Sequence, residues 1–316
     1  MPVSRFSACD EASVQHSRDL TLELLRQRIG ERCRGAVADR PGVLVGLLGR
    51  AIQSSRSPIM HEREASRLGL SCAYILVDFD ALGLADDALS AVLEAGAALG
   101  FAGFNVTHPF KQRIVPMLPS LAPEARAIGA VNTVVFSATG ATGHNTDAYG
   151  FLQSFREGLA GTSLSRVVLI GAGGAGAAVA HALLELGVGR LEIFDSESGR
   201  AEALADRLDR SGRRVASIDD LAVSVAAADG IVNATPVGMA KYPGLPLPAE
   251  LLQRRHFVAD IVYFPLETPL LRQARALGCR TLSGIGMAIG QAARAFELFT
   301  GMAADRTAMA GFFEAA

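Results

Sequence analysis

From Val43 onward, short runs of apolar residues alternate with longer segments in which apolar positions recur every three or four residues. That alternation predicts strands and helices taken in turn, an α/β fold. Strands are expected over 43–49, 72–77, 104–106 and 130–136. Helices are expected after Pro58, over 88–99, between the brackets Pro109 and Pro116, and near 122–128. Residues 137–143, Ser-Ala-Thr-Gly-Ala-Thr-Gly, read as a turn between two short extended segments. A helix over 148–159 leads into a second series of strands at 167–170, 191–195, 214–217, 230–233, 257–261 and 280–282, a number that suits a complete dinucleotide-binding sheet. One more apolar helix, over 286–299, follows that sheet and allows the chain to return to the first domain. Residues 1–40 are polar and Arg-rich, with helical spacing only around Leu20, Leu24 and Leu25. They read as an extension with room for one helix, outside the main fold.

The sharpest local signal lies at the first strand of the second series. Gly171-Ala172-Gly173-Gly174-Ala175-Gly176 follows the apolar run 166–170 directly and opens a helix-forming stretch. In a dinucleotide site the first glycine permits the tight turn, the second lets backbone approach the pyrophosphate, and the third lets helix and strand pack closely, with phosphate charge at the helix N-terminus. Asp195 closes the next strand about 20 residues on, where a carboxylate can accept both ribose hydroxyls of an adenosine. The competing reading is a buried glycine-rich turn that binds nothing. Strand, turn, helix and acidic residue in register weigh against it.

Bulk properties narrow the rest. At 316 residues the chain exceeds the size at which one core usually stops growing, so two domains are expected. The net charge of −2 comes with no basic tract, which argues against nucleic acid and membrane partners. Cys9, Cys33, Cys72 and Cys279 are far apart and lie in no CxxC arrangement, so they read as isolated thiols of a cytoplasmic protein, and no metal site is expected. The N-terminus lacks the apolar segment of a secretory signal. Homodimerisation is left open.

A nicotinamide oxidoreductase needs a group that exchanges the substrate's hydroxyl proton while hydride moves. No lysine stands four residues after any of the four tyrosines, and neither Lys111 nor Lys241 follows a glycine, which rules out a Tyr-x-x-x-Lys pair and a phosphate-binding GK[ST] loop. Lys111 remains, at the end of Asn105-Val-Thr-His-Pro-Phe-Lys111. With Gly129-Ala-Val-Asn132-Thr133, Gly143-His-Asn145-Thr146-Asp147, Asn233-Ala-Thr235-Pro-Val-Gly238-Met239 and Gly284-Ile-Gly-Met287-Ala-Ile-Gly-Gln291, it resembles the ordered motif set of the shikimate dehydrogenase family. Ser55-Arg56-Ser57-Pro58 is similar to the family's N-terminal Ser-x-Ser motif, and the likeness spans about residues 43 to 300.

The resemblance implies that Lys111 and Asp147 form the catalytic pair, with Lys111 as the proton-transfer group. Desolvation would lower the Lys111 pKa and a neighbouring carboxylate would raise it; the sequence leaves that balance open. It also leaves open an ordinary solvent-facing salt bridge. By the same resemblance Ser55 and Ser57 hold the substrate carboxylate, and Thr107, Asn132 and Gln291 bind ring hydroxyls. Tyr263 either touches the carboxylate or packs as an aromatic. The glycine turn, with Asn233, Thr235, Gly238, Met239 and Met287, is implied to hold the cofactor, although methionines at helical spacing are also ordinary core filler. His108 and His144 are expected to make local hydrogen bonds only.

Cofactor selection is where the chain departs from the common biosynthetic branch, whose relatives resemble Asn-Arg-Thr/Ser after the second strand. Here Asp195-Ser196-Glu197 occupies the matching positions, two carboxylates and no arginine, which disfavours a 2'-phosphate. Arg200 is close enough in sequence to meet one. The expected cofactor is therefore NAD rather than NADP, and the chain resembles the NAD-dependent quinate/shikimate dehydrogenase branch. The expected activity is oxidation of the C3 hydroxyl of quinate, shikimate or both, with a hydroxylated cyclic carboxylic acid as the small-molecule partner. An aminoshikimate dehydrogenase and a non-catalytic NAD-binding regulator are the alternatives. The expected division is a 1–40 extension, a discontinuous substrate domain of 41–147 and 283–316, and a Rossmann-type domain of 148–282.

Overall fold

The structure is a computed structural model that describes residues 8–33 and 42–315. In chain order the elements are α1 (Ala8–Cys33), β1 (Val43–Gly49), α2 (Ser57–Arg67), β2 (Cys72–Asp78), α3 (Leu89–Leu99), β3 (Gly103–Val106), α4 (Phe110–Arg113), β4 (Ser120–Leu121), α5 (Pro123–Ile128), β5 (Thr133–Ser137) and β6 (Gly140–His144). They continue as α6 (Thr146–Gly158), β7 (Arg166–Ile170), α7 (Gly174–Glu185), β8 (Arg190–Phe194), α8 (Arg200–Leu208), β9 (Val215–Ser217), α9 (Leu221–Ala227), β10 (Gly230–Asn233), β11 (Phe257–Asp260), α10 (Pro269–Ala276), β12 (Arg280–Ser283), α11 (Ile285–Thr300) and α12 (Arg306–Glu314). The α/β alternation expected from the pattern is observed as two compact units, one of them a Rossmann-type domain.

The first unit comprises Met1–Leu121, Asn132–His144 and Ala295–Ala316. Its sheet runs β2-β1-β3-β5-β6-β4, with β1 parallel to both neighbours and the β5–β6 hairpin antiparallel. Ala138 and Thr139 make the turn of that hairpin, and Gly140, at φ 113°, opens its second strand. The sequence places 1–40 outside the main fold. Of these, 1–7 and 34–40 lie outside the described residues, as do the side chains of Cys9 and Cys33. Helix α1 instead packs on α3 and β2, with Thr21 and Leu25 buried and Arg18 bonded to Glu94 at 3.0 Å. Thr21 and Leu25 stand one turn apart and share a face; of the three leucines that carry the helical spacing, Leu25 is buried, Leu24 half-exposed and Leu20 exposed.

The second unit comprises Ala122–Val131 and Asn145–Arg294. Its six strands are all parallel in the order β12-β11-β10-β7-β8-β9, a doubly wound sheet. Strand residues alternate between two cores, as a sheet covered on both faces requires. Val167, Leu169, Leu191 and Ile193 pack with Ala177, Leu183, Phe151 and Phe155, while Val168, Ile170, Ile231 and Val258 pack with Leu270 and Ala274. Segments 122–131, 145–147 and 283–294, expected with the substrate domain, belong to this unit. The reason is packing: α5 and α6 both lie on α7. No helix among the described residues is long and apolar enough to cross a membrane.

Candidate active site

In the first unit, β1 and β3 are paired so that Leu48 stands beside Val106, and both strands release their loops at the same sheet edge, where ligands bind in open α/β sheets. Thr107 N–H donates to Leu48 at 2.9 Å and Arg50 N–H to His108 carbonyl at 3.2 Å, which ties the two loops together. The loop after β1 is also held by Asp78, at the end of β2. Its carboxylate accepts from the N–H groups of Ala51, Ile52 and Asp80 at 3.1 Å and from Gln53 Nε2 at 2.9 Å. Burial pushes the Asp78 pKa up, but the bonds from Gln53 and the backbone outweigh it and hold the group below the ordinary carboxylate range.

That loop delivers Ser55 and Ser57 to the start of α2. Ser57 N–H donates to Ser55 Oγ at 3.2 Å, and both residues are half-buried. An 11-residue helix N-terminus favours negative charge, so two hydroxyls here suit a carboxylate. Arg56, between them, donates to the Phe313 carbonyl at 2.6 Å and lies 4.9 Å over the Phe313 ring on α12. Lys111 is half-buried on α4, whose first residue, Phe110, is fully buried against Phe79 with ring centroids 4.4 Å apart. Thr107 stands one turn before it and is half-buried. Asn132 is buried at the start of β5; its N–H donates to the His144 carbonyl at 3.0 Å and its Oδ1 accepts from Thr133 Oγ1 at 3.1 Å.

In the second unit the glycine turn has the geometry a dinucleotide needs. Gly171 takes φ 105°, open to glycine at low cost. A Cβ on Gly176 would stand 2.0 Å from the Gly171 carbonyl oxygen, so this glycine seats α7 against the turn. A Cβ on Gly173 would meet nothing within 4 Å, which leaves an open approach at the α7 N-terminus beside Gly174 and Ala175. The residues present therefore fit a pyrophosphate. Asp195, half-buried just past β8, accepts from Ala172 N–H at 2.7 Å and from Glu197 N–H at 2.8 Å. Ser196 is exposed, and Arg200 is paired with Glu197 at 2.7 Å.

Asn233 is fully buried and its side chain is spent within the protein. It donates to Val237 carbonyl at 3.1 Å and to Asp260 at 2.9 Å, and accepts from Thr235 N–H and Oγ1. It thus shapes the loop that bears Thr235, Gly238 (φ 106°) and the exposed Met239. Asp260 is buried, and it also accepts from Val262 N–H and Thr268 Oγ1; its burial raises its pKa despite those bonds. Tyr263 is 42% exposed, so it does not pack in the core. Met287 does, in the same apolar cluster as Phe151.

Asp147 is buried in the first turn of α6, whose N-cap Asn145 accepts from Ala148 N–H at 3.3 Å and donates to the Ala130 carbonyl at 2.9 Å. Helices α6 and α11 touch backbone to backbone: a Cβ on Gly290 would stand 2.9 Å from Gly150 Cα, and one on Gly150 would stand 2.7 Å from Gln291 N. This places Asp147 and Gln291 on neighbouring helices of one unit; Lys111 belongs to the other. His108 is exposed, and no three His, Cys, Asp or Glu side chains among the described residues gather as a metal cluster.

Asp78 and Asp260, which hold their loops, are not among the residues expected from the sequence. Each ends a parallel strand as Asp195 follows one, and a carboxylate at that edge was the available signal.

Three family models match in chain order: the shikimate dehydrogenase substrate binding domain over 47–134, shikimate/quinate 5-dehydrogenase over 155–239, and the shikimate 5'-dehydrogenase C-terminal domain over 284–310. A shikimate dehydrogenase (NADP(+)) of Streptomyces avermitilis is 55% identical over 270 residues, covering 84% of this chain and 93% of the relative. The chain belongs to the shikimate dehydrogenase family. Within it, a quinate/shikimate dehydrogenase (NAD(+)) of Corynebacterium glutamicum is 46% identical, covering 84% of this chain and 96% of the relative. The solved quinate dehydrogenase from Corynebacterium glutamicum in complex with NAD superposes with a TM-score of 0.82 at 45% identity, over 88% of this chain and 100% of that one.

Proposed function

We propose that this family member is an NAD-dependent dehydrogenase that oxidises the C3 hydroxyl of quinate, shikimate or both. The observation that carries the cofactor reading is Asp195. Its carboxylate is anchored to the glycine turn through Ala172, and the nearby Arg200 is already paired with Glu197. Each Asp195 oxygen keeps acceptor capacity for a ribose hydroxyl. A 2'-phosphate would meet two carboxylates and an arginine whose charge is offset. Relatives at this distance carry both cofactor names, so the local chemistry supports the choice rather than the overall likeness.

In this reading Ser55 and Ser57 grip the acid's carboxylate, and Thr107, Asn132 and Gln291 take the ring hydroxyls. Tyr263, exposed on the loop after β11, adds a hydroxyl to the carboxylate end. The substrate's C3 hydrogen leaves as hydride, for which the bound dinucleotide is the acceptor. Lys111 receives the hydroxyl proton, and Asp147 orients that hydroxyl and holds charge next to it. The glycine turn 171–176 would hold the pyrophosphate through backbone N–H groups. Thr235, Gly238 and Met239, on a loop that Asn233 shapes, would hold the rest of the dinucleotide. A spectrophotometric panel of quinate, shikimate and aminoshikimate under saturating NAD tests the substrate. NAD reduction with quinate or shikimate is expected; reduction with the amino analogue alone would replace this reading by aminoshikimate dehydrogenase, and no turnover with any of the three would leave a non-catalytic regulator.

A further inference from the structure

A chain of hydrogen bonds runs under the first sheet's ligand-binding edge and ends on Asn132. Tyr74 on β2 reaches across β1, and its hydroxyl donates to Asn105 Oδ1 on β3 at 2.8 Å. Asn105 Nδ2 donates to Thr133 Oγ1 on β5 at 3.1 Å, and Thr133 Oγ1 donates to Asn132 Oδ1 at 3.1 Å. Asn105 and Thr133 are direct cross-strand partners, so the link is fixed by sheet register. All four residues are buried. The Tyr74 ring is clamped at a centroid distance of 4.9 Å from His61, which leaves its hydroxyl little freedom.

The direction of this chain matters. An amide has distinct acceptor and donor ends, and a hydroxyl has one hydrogen to give. Once Tyr74 donates to Asn105 Oδ1, the Asn105 amide must present its NH2 to Thr133. Thr133 then spends its hydrogen on Asn132 Oδ1, and the face that Asn132 turns away from Thr133 carries its NH2. Reversing any one member would set two donors or two acceptors against each other in a buried setting, where an unmade bond is costly.

We propose that Tyr74, Asn105 and Thr133 are positioning residues that fix the Asn132 amide as a hydrogen-bond donor toward a hydroxyl oxygen of the substrate ring. This rests on the proposed function, in which Asn132 binds such a hydroxyl. The substrate hydroxyl that meets Asn132 must then accept there and give its own hydrogen elsewhere, which discriminates against a ring bearing an ammonium group at that position, since that group can only donate.

The test compares wild type with Tyr74→Phe, Thr133→Val and Thr133→Ser, in steady-state assays with the better of quinate and shikimate and in 15N side-chain amide spectra. Tyr74→Phe keeps the ring and removes the source of polarity. The KM for the acid should rise about 5- to 30-fold, the scale of one or two net hydrogen bonds, while the KM for the dinucleotide holds. Thr133→Val should do the same and Thr133→Ser should restore it. The Asn132 side-chain NH2 resonances should shift in Tyr74→Phe although that residue lies three bonds of the chain away. Equal changes in both KM values, no rescue by serine, or unmoved Asn132 resonances would overturn the inference. Failure of wild type to oxidise either acid would instead defeat the proposed function, and the spectra would still decide whether the relay orients Asn132.

Discussion

His61 on α2 is fully buried, and neither ring nitrogen has a hydrogen-bond partner. It is walled by aromatic rings, Tyr74 at 4.9 Å and Phe296 and Phe299 at 6.0 Å between centroids. Burial without compensation pushes its pKa down from an ordinary 6.5 to about 3. The unfolded chain therefore binds a proton that the folded chain refuses, throughout the window between those values. Stability is complete above the unfolded value and is lost as pH falls, by up to about 1.4 kcal/mol per pH unit. From pH 7 to pH 5 the loss from this one group is about 2 kcal/mol. Carboxylates also lose stability on acidification, so the comparison is with His61→Phe, which keeps a ring in the site and cannot titrate. Urea denaturation followed by circular dichroism at pH 7 and pH 5 gives four free energies. The decrement should be smaller in His61→Phe by about 2 kcal/mol. Equal decrements in the two proteins would refute the reasoning, because they would mean that His61 charges freely in the folded state.

Replacing Lys111 with Met should lower kcat about 10²- to 10⁴-fold while dinucleotide binding, read by fluorescence quenching or calorimetry, persists; Asp147→Asn should lower activity too, and near-normal turnover in either would remove the pair from the reaction. Gly176→Ala sets a Cβ at 2.0 Å from the Gly171 carbonyl oxygen, so the turn must move, and the KM for the dinucleotide should rise more than about tenfold with the KM for the acid less affected. Ser57→Ala should weaken both quinate and shikimate by about 1.5 to 3 kcal/mol, the worth of a hydrogen bond to a charged group, and an unchanged KM would show that the carboxylate binds elsewhere.

Much of this was legible in the chain because it depends on period and spacing. The second sheet's strands stand out as short apolar runs, and the glycine turn and Asp195 sit where strand, turn and helix demand them. Strand β4 is two residues long, too short to leave a pattern. Helix α12 is not among the expected elements although Asp305 caps it, accepting from the N–H groups of Thr307 and Ala308. What periodicity does not encode is which polar residues are spent on one another. Asn233 sits in a motif that the resemblance assigns to the cofactor, yet its side-chain bonds close within the protein. Met287, which the resemblance assigns to the cofactor, lies in the core, the alternative that its helical spacing left open. The relay that ends on Asn132 is not written in local spacing, since Tyr74 and Asn105 meet Thr133 only once β2, β1, β3 and β5 lie side by side.

The most direct test of the central claim is the ratio of kcat/KM for NAD to that for NADP, measured on the unmodified enzyme with a saturating hydroxy acid. Asp195 tied to the glycine turn, and Arg200 tied to Glu197, should place a 2'-phosphate against uncompensated negative charge. NAD should be preferred by at least about tenfold, some 1.4 kcal/mol, and Asp195→Asn with Ser196→Arg should narrow the gap. A preference for NADP in the unmodified enzyme would contradict the assignment, showing that Arg200 leaves Glu197 for the phosphate and outweighs both carboxylates.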